Sequence, residues 1–301
     1  MAKLRKGHQK SNKANSWLAR VSMITILLIG ALVAVMFELP IGPINNSSDN
    51  SSSGSSSKQK LTKAIHREYL PSINRGVTIH HDFYSLSYVE DWEQSEWVAY
   101  ELTKQSLQEK NVPRAKRFNE DKSVSTKSAR HSDYTHSGFT RGHLAPAGDM
   151  AFDVNAMQQC FFMSNMSPQP RVFNNGIWKE LEETIRDWAY KKDRLYIVTG
   201  PIFNDNKYET IGKSKVAVPD SFYKIIVQPD EENAISFIIP NELSNRHLKS
   251  YTISINKIEE ITGLDFFENI LDEDFEEKKV VGNWQFNEKK YNERVQKWNK
   301  Q

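Results

Sequence analysis

Apolar and polar positions change rhythm several times along the chain, and each rhythm predicts a different element. The longest apolar run covers residues 21–37, broken only by Ser22, Thr25 and Gly30 and free of charge. As a helix it would span roughly 26 Å, close to a hydrocarbon core of about 30 Å. Six basic residues (Lys3, Arg5, Lys6, Lys10, Lys13, Arg20) and no acidic one precede it. The positive-inside rule therefore puts residues 1–20 in the cytoplasm and the remainder outside. The run closes on Val35-Met36-Phe37-Glu38, without the small residues of a cleavage site. An uncleaved transmembrane signal anchor over 21–37 is expected, with secretion after signal cleavage as the alternative and a buried core helix as the third. Residues 38–62 read as a Ser/Asn-rich linker, since 45–57 hold no apolar side chain to bury. That leaves 63–301 as the folded portion, a length that suits one large domain or at most two small ones.

Within that portion, β-branched and aromatic enrichment predicts short strands at 84–88, 97–102, 194–199, 222–227 and 234–239. Gly200-Pro201 and Pro240 supply the stops. The apolar run at 161–163 predicts another strand, leading into a polar loop over 164–169. A helix is expected over 175–190, where Ile177, Leu181, Ile185 and Trp188 form one stripe. A second is expected over 254–262, with Gly263 just past its end. Strands cluster rather than alternate with helices, so the fold class is α+β with a mainly antiparallel central sheet flanked by helices. No internal repeat is visible.

Composition narrows the chemistry. The single cysteine, Cys160, can build neither a disulfide framework nor a cysteine-rich zinc site. Set in an apolar run, it reads as a buried unpaired thiol. The formal charge of +2 comes from 40 basic and 38 acidic residues; removing the six N-terminal cations leaves 34 against 38, or −4. Nucleic acid is therefore not held by bulk charge. Residues 103–146 nevertheless carry nine Lys/Arg against four Asp/Glu, a local +5. By charge alone that stretch is a solvated loop.

Candidate chemistry lies between residues 114 and 182. In Thr140-Arg141-Gly142-His143 an extended chain would put the guanidinium and the imidazole on one face. An always-charged fork for phosphate beside a group that accepts a proton near neutrality suits phosphodiester hydrolysis. Downstream, Asn174, Trp178 and Glu182 stand at i, i+4 and i+8. On one continuous helix Asn174 and Glu182 would share a side, about 80° apart and roughly 12 Å along the axis. A neutral amide with a carboxylate at one remove is sparse ligation, which suits Mg²⁺, an ion that keeps several waters. A structural histidine and a helix with ordinary solvated polar residues fit these two patterns as well.

Taken together, Thr140-Arg141-Gly142-His143-Leu-Ala-Pro, Ser164-Asn165-Met-Ser-Pro-Gln169 and Asn174 followed by Glu182 resemble the DNA/RNA non-specific endonucleases, the endonuclease G-like ββα-metal group. The likeness extends through Tyr84-Ser-Leu-Ser-Tyr88, Glu96-Trp97-Val-Ala-Tyr100, Val198-Thr-Gly200-Pro201, Phe222-Tyr223-Lys224 and Ile261-Thr-Gly263, covering roughly residues 76–271. The resemblance implies the ββα-metal fold and a metal-dependent endonuclease acting on DNA, RNA or both through the phosphate backbone. It implies His143 as general base and Asn174 as the single protein ligand of Mg²⁺, with Mn²⁺ as the substitute ion. Glu182 then matches an outer-shell acid, Asn165 a polar residue holding the active-site network, and Arg141 the phosphate-stabilising arginine. A second arginine falls at Arg114, with Arg117 in reserve. A homodimer is a further expectation, because relatives commonly dimerise. Thr140 is a departure: the family most often has Asp there, so one charge beside the site is absent. Two other classes remain open, a non-catalytic nucleic-acid-binding homologue and a metal-dependent hydrolase of another phosphodiester.

Overall fold

The computed structural model describes residues 67–72, 74–204, 207–228, 233–268, 270–271 and 273–298. All of these belong to a compact unit of residues 59–301. The basic segment, the anchor and the whole of the linker lie outside the described residues. Among the described residues no helix is long and apolar enough to cross a membrane.

In chain order the strands are β1 (Val77–His80), β2 (Ser85–Val89), β3 (Gln94–Thr103), β4 (Thr140–His143), β5 (Met166–Gln169), β6 (Arg194–Ile202), β7 (Thr210–Ile211), β8 (Val216–Ala217), β9 (Ser221–Gln228), β10 (Asn233–Pro240), β11 (Thr252–Ile253) and β12 (Val280–Val281). The longer helices are α1 (Lys104–Gln108), α2 (Val154–Gln159), α3 (Lys179–Lys192), α4 (Ile255–Thr262) and α5 (Glu288–Trp298). One sheet runs β1-β2-β3-β6-β9-β10-β11, with β12 also on β10, and every pairing is antiparallel. β4 and β5 form a separate antiparallel pair, as do β7 and β8.

Both faces of the large sheet are covered, because successive side chains on a strand point to opposite sides. Val98 and Tyr100 of β3 join the core that holds Ile177, Leu181, Ile185 and Trp188 of the α3 region. Trp97 and Ala99, between and before them, join the core under Ile255 and Ile258 of α4. Strand β2, Ser85-Leu-Ser-Tyr-Val89, alternates polar and apolar residues yet is buried on both faces, its serines included. Each large apolar side chain of the α3 stripe contributes about 1.5–3 kcal/mol of gross stabilisation on burial.

The predicted strands at 84–88, 97–102, 194–199, 222–227 and 234–239 all fall within or nearly within observed ones, and α4 ends at Gly263 in the left-handed region, φ 70°. Two expectations need correction. The strand is not 161–163 but Met166–Gln169; Met163–Asn165 is a tight turn. The expected helix over 175–190 begins at Lys179, because Asn174–Trp178 is a wide π-type turn in which Gly176 (φ −99°, ψ −114°) leaves helical dihedrals.

Candidate active site

β4, β5 and α3 give two antiparallel strands followed by a helix, set against the α3-side face of the large sheet. Pairing puts Thr140 opposite Gln169, Gly142 opposite Ser167 and His143 opposite Met166. Gly142 is required by close approach: a Cβ there would overlap the Gln169 side chain. Arg141 and His143 do share a face, meeting at one aromatic ring. The Arg141 guanidinium lies 5.5 Å from the Phe118 centroid and the His143 ring 5.8 Å from it. Arg141 also stacks on Tyr134 and donates from Nη2 to the His131 carbonyl at 2.8 Å.

Asn165 is fully buried, and its amide is engaged with backbone alone. Its Nδ2 donates to the carbonyls of Ala145 (3.0 Å) and Cys160 (2.8 Å), and Oδ1 accepts from the Ala145 N–H (2.9 Å). The Leu144 N–H donates to its carbonyl at 3.0 Å. Asn165 thus fixes the chain that leaves His143, as a positioning residue. Beside it, Ser164 donates to Asp121 at 2.6 Å, and Asp121 meets His81 at 2.9 Å.

His143 retains 7% exposure, edge-on to Phe161 at 4.8 Å, and its Nε2 is buried without a partner. Burial, then the nearby Arg114 cation, lowers its pKa to about 3. The ordinary imidazole value expected from sequence is therefore not the one this environment gives. The ring is neutral throughout the neutral and mildly acidic range. Gln169 has both amide atoms buried and unpartnered, and so has Arg141 its Nε. Buried polar atoms are rarely left unpaired, so this group on β4 and β5 suits water, ion or phosphate partners.

Asn174 reaches β4 directly. Its Nδ2 donates to Thr140 Oγ1 at 2.8 Å, and that hydroxyl donates to the Gln169 carbonyl at 2.7 Å. The relay orients the amide with Oδ1 left to accept or ligate. The kink at Gly176 removes the continuous helix on which the spacing of Asn174 and Glu182 was reckoned. Glu182, on the first turn of α3, is half-buried; burial raises its pKa to about 7, opposed by Lys224, Arg186 and Arg114. Arg114 therefore acts electrostatically on both His143 and Glu182. Its guanidinium lies 5.0 Å from the Phe161 ring centroid. Arg117 lines a separate cavity of about 500 Å³ with Val112, Lys116, Val154 and Met157. Arg114 is the arginine beside His143.

Sequence reading missed Lys224. Though in the middle of β9 it is fully buried, 4.7 Å above the Trp178 ring, with Nζ 3.4 Å from the Leu144 carbonyl. Burial lowers its pKa while Glu182 holds it up. A lysine flanked by Tyr223 and Ile225 in an apolar strand was the available signal. Next to it, Asp149 binds Arg186 at 2.7 Å and accepts from the Tyr100 hydroxyl at 2.8 Å.

Among the described residues no three His, Cys, Asp or Glu side chains could hold a metal together. An ion held there would rest on fewer protein donors. An oriented amide oxygen at Asn174 fits a divalent ion that keeps most of its waters.

The profile of the DNA/RNA non-specific endonucleases matches residues 62–273, most of the chain. The chain belongs to that family. It is 36% identical over 204 residues to Nuclease C1 of Cunninghamella echinulata var. echinulata, covering 62% of this chain and 81% of the fungal protein. To the human mitochondrial Endonuclease G it is 33% identical over 190 residues, 58% of this chain and 64% of that one. Against Nuclease EXOG of Xenopus laevis it is 36% identical over 156 residues, 46% of this chain and 44% of the relative, so it spans under half of that protein. A solved structure of an EndoG/EndoGI complex superposes with a TM-score of 0.62 at 30% identity, over 68% of this chain and 90% of that one. This non-specific endonuclease thus shares the mixed architecture and antiparallel sheet of its solved relative.

Proposed function

We propose that this endonuclease hydrolyses backbone phosphodiesters of DNA and RNA without sequence preference, using His143 as general base and Asn174 to hold Mg²⁺ or Mn²⁺. The observation that carries this reading is the buried, unpartnered Nε2 of His143, on the same strand as the Thr140 hydroxyl that orients Asn174. When bound, the ion supplies polarisation of the scissile phosphate and charge relief for the departing oxygen. The protein's own groups do the rest. His143, kept neutral, takes a proton from water as that water attacks phosphorus. Arg114 and Arg141 supply fixed positive charge to the phosphate. Asn165 holds the strand exit that aims the imidazole, and Glu182, at the head of α3, would orient water about the ion. Nothing in the site presents a groove-reading element, so recognition rests on the backbone.

Plasmid nicking by the full-length protein with Mg²⁺ and with EDTA tests the reading. Chelation should abolish nicking, and His143→Ala should lower the rate by about 10²–10⁴. Retarded but uncut DNA would favour a binding homologue. Preferential cleavage of small bis-phosphate esters would favour the other hydrolase. The membrane anchor and a homodimer remain proposals from residues 1–37 and from family likeness; carbonate extraction of membranes and light scattering test them.

A further inference from the structure

The family match ends at residue 273, yet the chain continues into α5, eleven residues that dock on the turn bearing Asn174. Three of its side chains bear on α3 and the turn before it. Arg294, 6% exposed, pairs through Nε with Glu180 Oε2 on the first turn of α3, through Nη1 with the Ser244 carbonyl, and through Nη2 with the Arg246 carbonyl at 2.7 Å. Lys290 Nζ reaches Asp187 at 2.6 Å and the Glu183 carbonyl at 2.9 Å. At the far end, the Trp298 indole, also 6% exposed, donates from Nε1 to the Asn175 carbonyl at 3.2 Å. The same ring covers Gly176, where an added Cβ would meet its Cδ1 at 3.7 Å.

The Trp298 contact falls on the irregular part of the helix, and the Arg294 and Lys290 contacts seat α5 beside it. Asn175 follows Asn174 directly, and Gly176 is where the backbone leaves helical dihedrals. A π-type turn is less stable than the regular helix that could replace it, so something outside the turn must select it. Regularising the turn would rotate Asn174 relative to β4 and break the bond to Thr140 that orients its amide. Trp298 braces the turn from one side and Thr140 from the other.

We propose that Trp298, held in place by Arg294, is a positioning residue that fixes the Asn174 turn in its metal-holding shape. The inference rests on the reading of Asn174 as the metal-holding amide, and the test separates the two. Mn²⁺ binding to the full chain is followed by electron paramagnetic resonance of the free ion, and the Mg²⁺ concentration giving half-maximal DNA cleavage is measured beside it. Trp298→Ala should weaken Mn²⁺ binding and raise half-saturating Mg²⁺ by about fivefold or more, with a smaller fall in rate at saturating Mg²⁺, as for other outer groups that orient metal ligands. Trp298→Phe keeps most of the packing and removes the N–H; it should shift both quantities by about twofold, and it decides the matter if the alanine variant does not fold. If the folded Trp298 variants melt lower but bind Mn²⁺ as the wild type does, while Asn174→Ala loses binding, α5 is only a structural cap and the inference fails alone. If Asn174→Ala binds Mn²⁺ normally, the metal reading of Asn174 fails and takes the inference with it.

Discussion

At the scale of single residues, Thr140 and Glu182 show how much chemistry depends on a neighbour. The hydroxyl at 140 accepts from Asn174 Nδ2 and so orients that amide without a charge. Thr140→Ala should therefore raise the half-saturating Mg²⁺ concentration by about tenfold, an oriented outer partner being worth that much; metal titration of cleavage checks it. The pH profile separates two titrations. His143 protonates only as pH falls through about 3, whereas Glu182 protonates as pH falls through about 7. The free protein's kcat/KM should decline below about pH 7, and that limb should vanish in the slower Glu182→Gln variant. A limb near pH 6.5 that survives in Glu182→Gln would belong to the imidazole and contradict its burial. The sequence pointed to His143 but not to its surroundings, because Arg114 and Phe118 come to it from one segment and Phe161 from another.

At the scale of elements, pattern was legible where one periodicity governs a whole segment. The stripe Ile177, Leu181, Ile185 and Trp188 announced α3, and Gly263 announced the end of α4. It failed where tertiary pairing overrides local preference. Met166–Gln169, with Ser and Pro in it, reads as a loop, yet it is a strand because β4 supplies its partners. The π-type turn was equally hidden, since nothing in Asn174-Asn175-Gly176 specifies it without Trp298 from the far end of the chain. Asn165 links such pieces. Asn165→Ala should leave the Ala145 N–H and two carbonyls unpaired, and each buried unpaired group costs about 1–3 kcal/mol. A fall in melting temperature on the order of 10 °C, read by calorimetry, is expected.

For the whole molecule, charge placement matters more than net charge. The surroundings of the site are cationic while the body beyond the N-terminal segment is acidic, so binding should rest on a few phosphate contacts. KM for DNA should rise steeply with NaCl, and Arg114→Ala should reduce the slope of that dependence by about one unit. A slope unchanged in Arg114→Ala would remove that arginine from the substrate.

Cys160 lies at the centre of this body, its thiol bonded to the Met157 carbonyl at 3.3 Å and pushed up to about 12 by burial. It should resist aromatic disulfide reagents until the protein unfolds. With a single cysteine this sequence forms no internal disulfide, so its folding needs no oxidant for sulfur pairing. A disulfide-dependent enzyme stays inert until it is oxidised; this sequence carries no such internal switch.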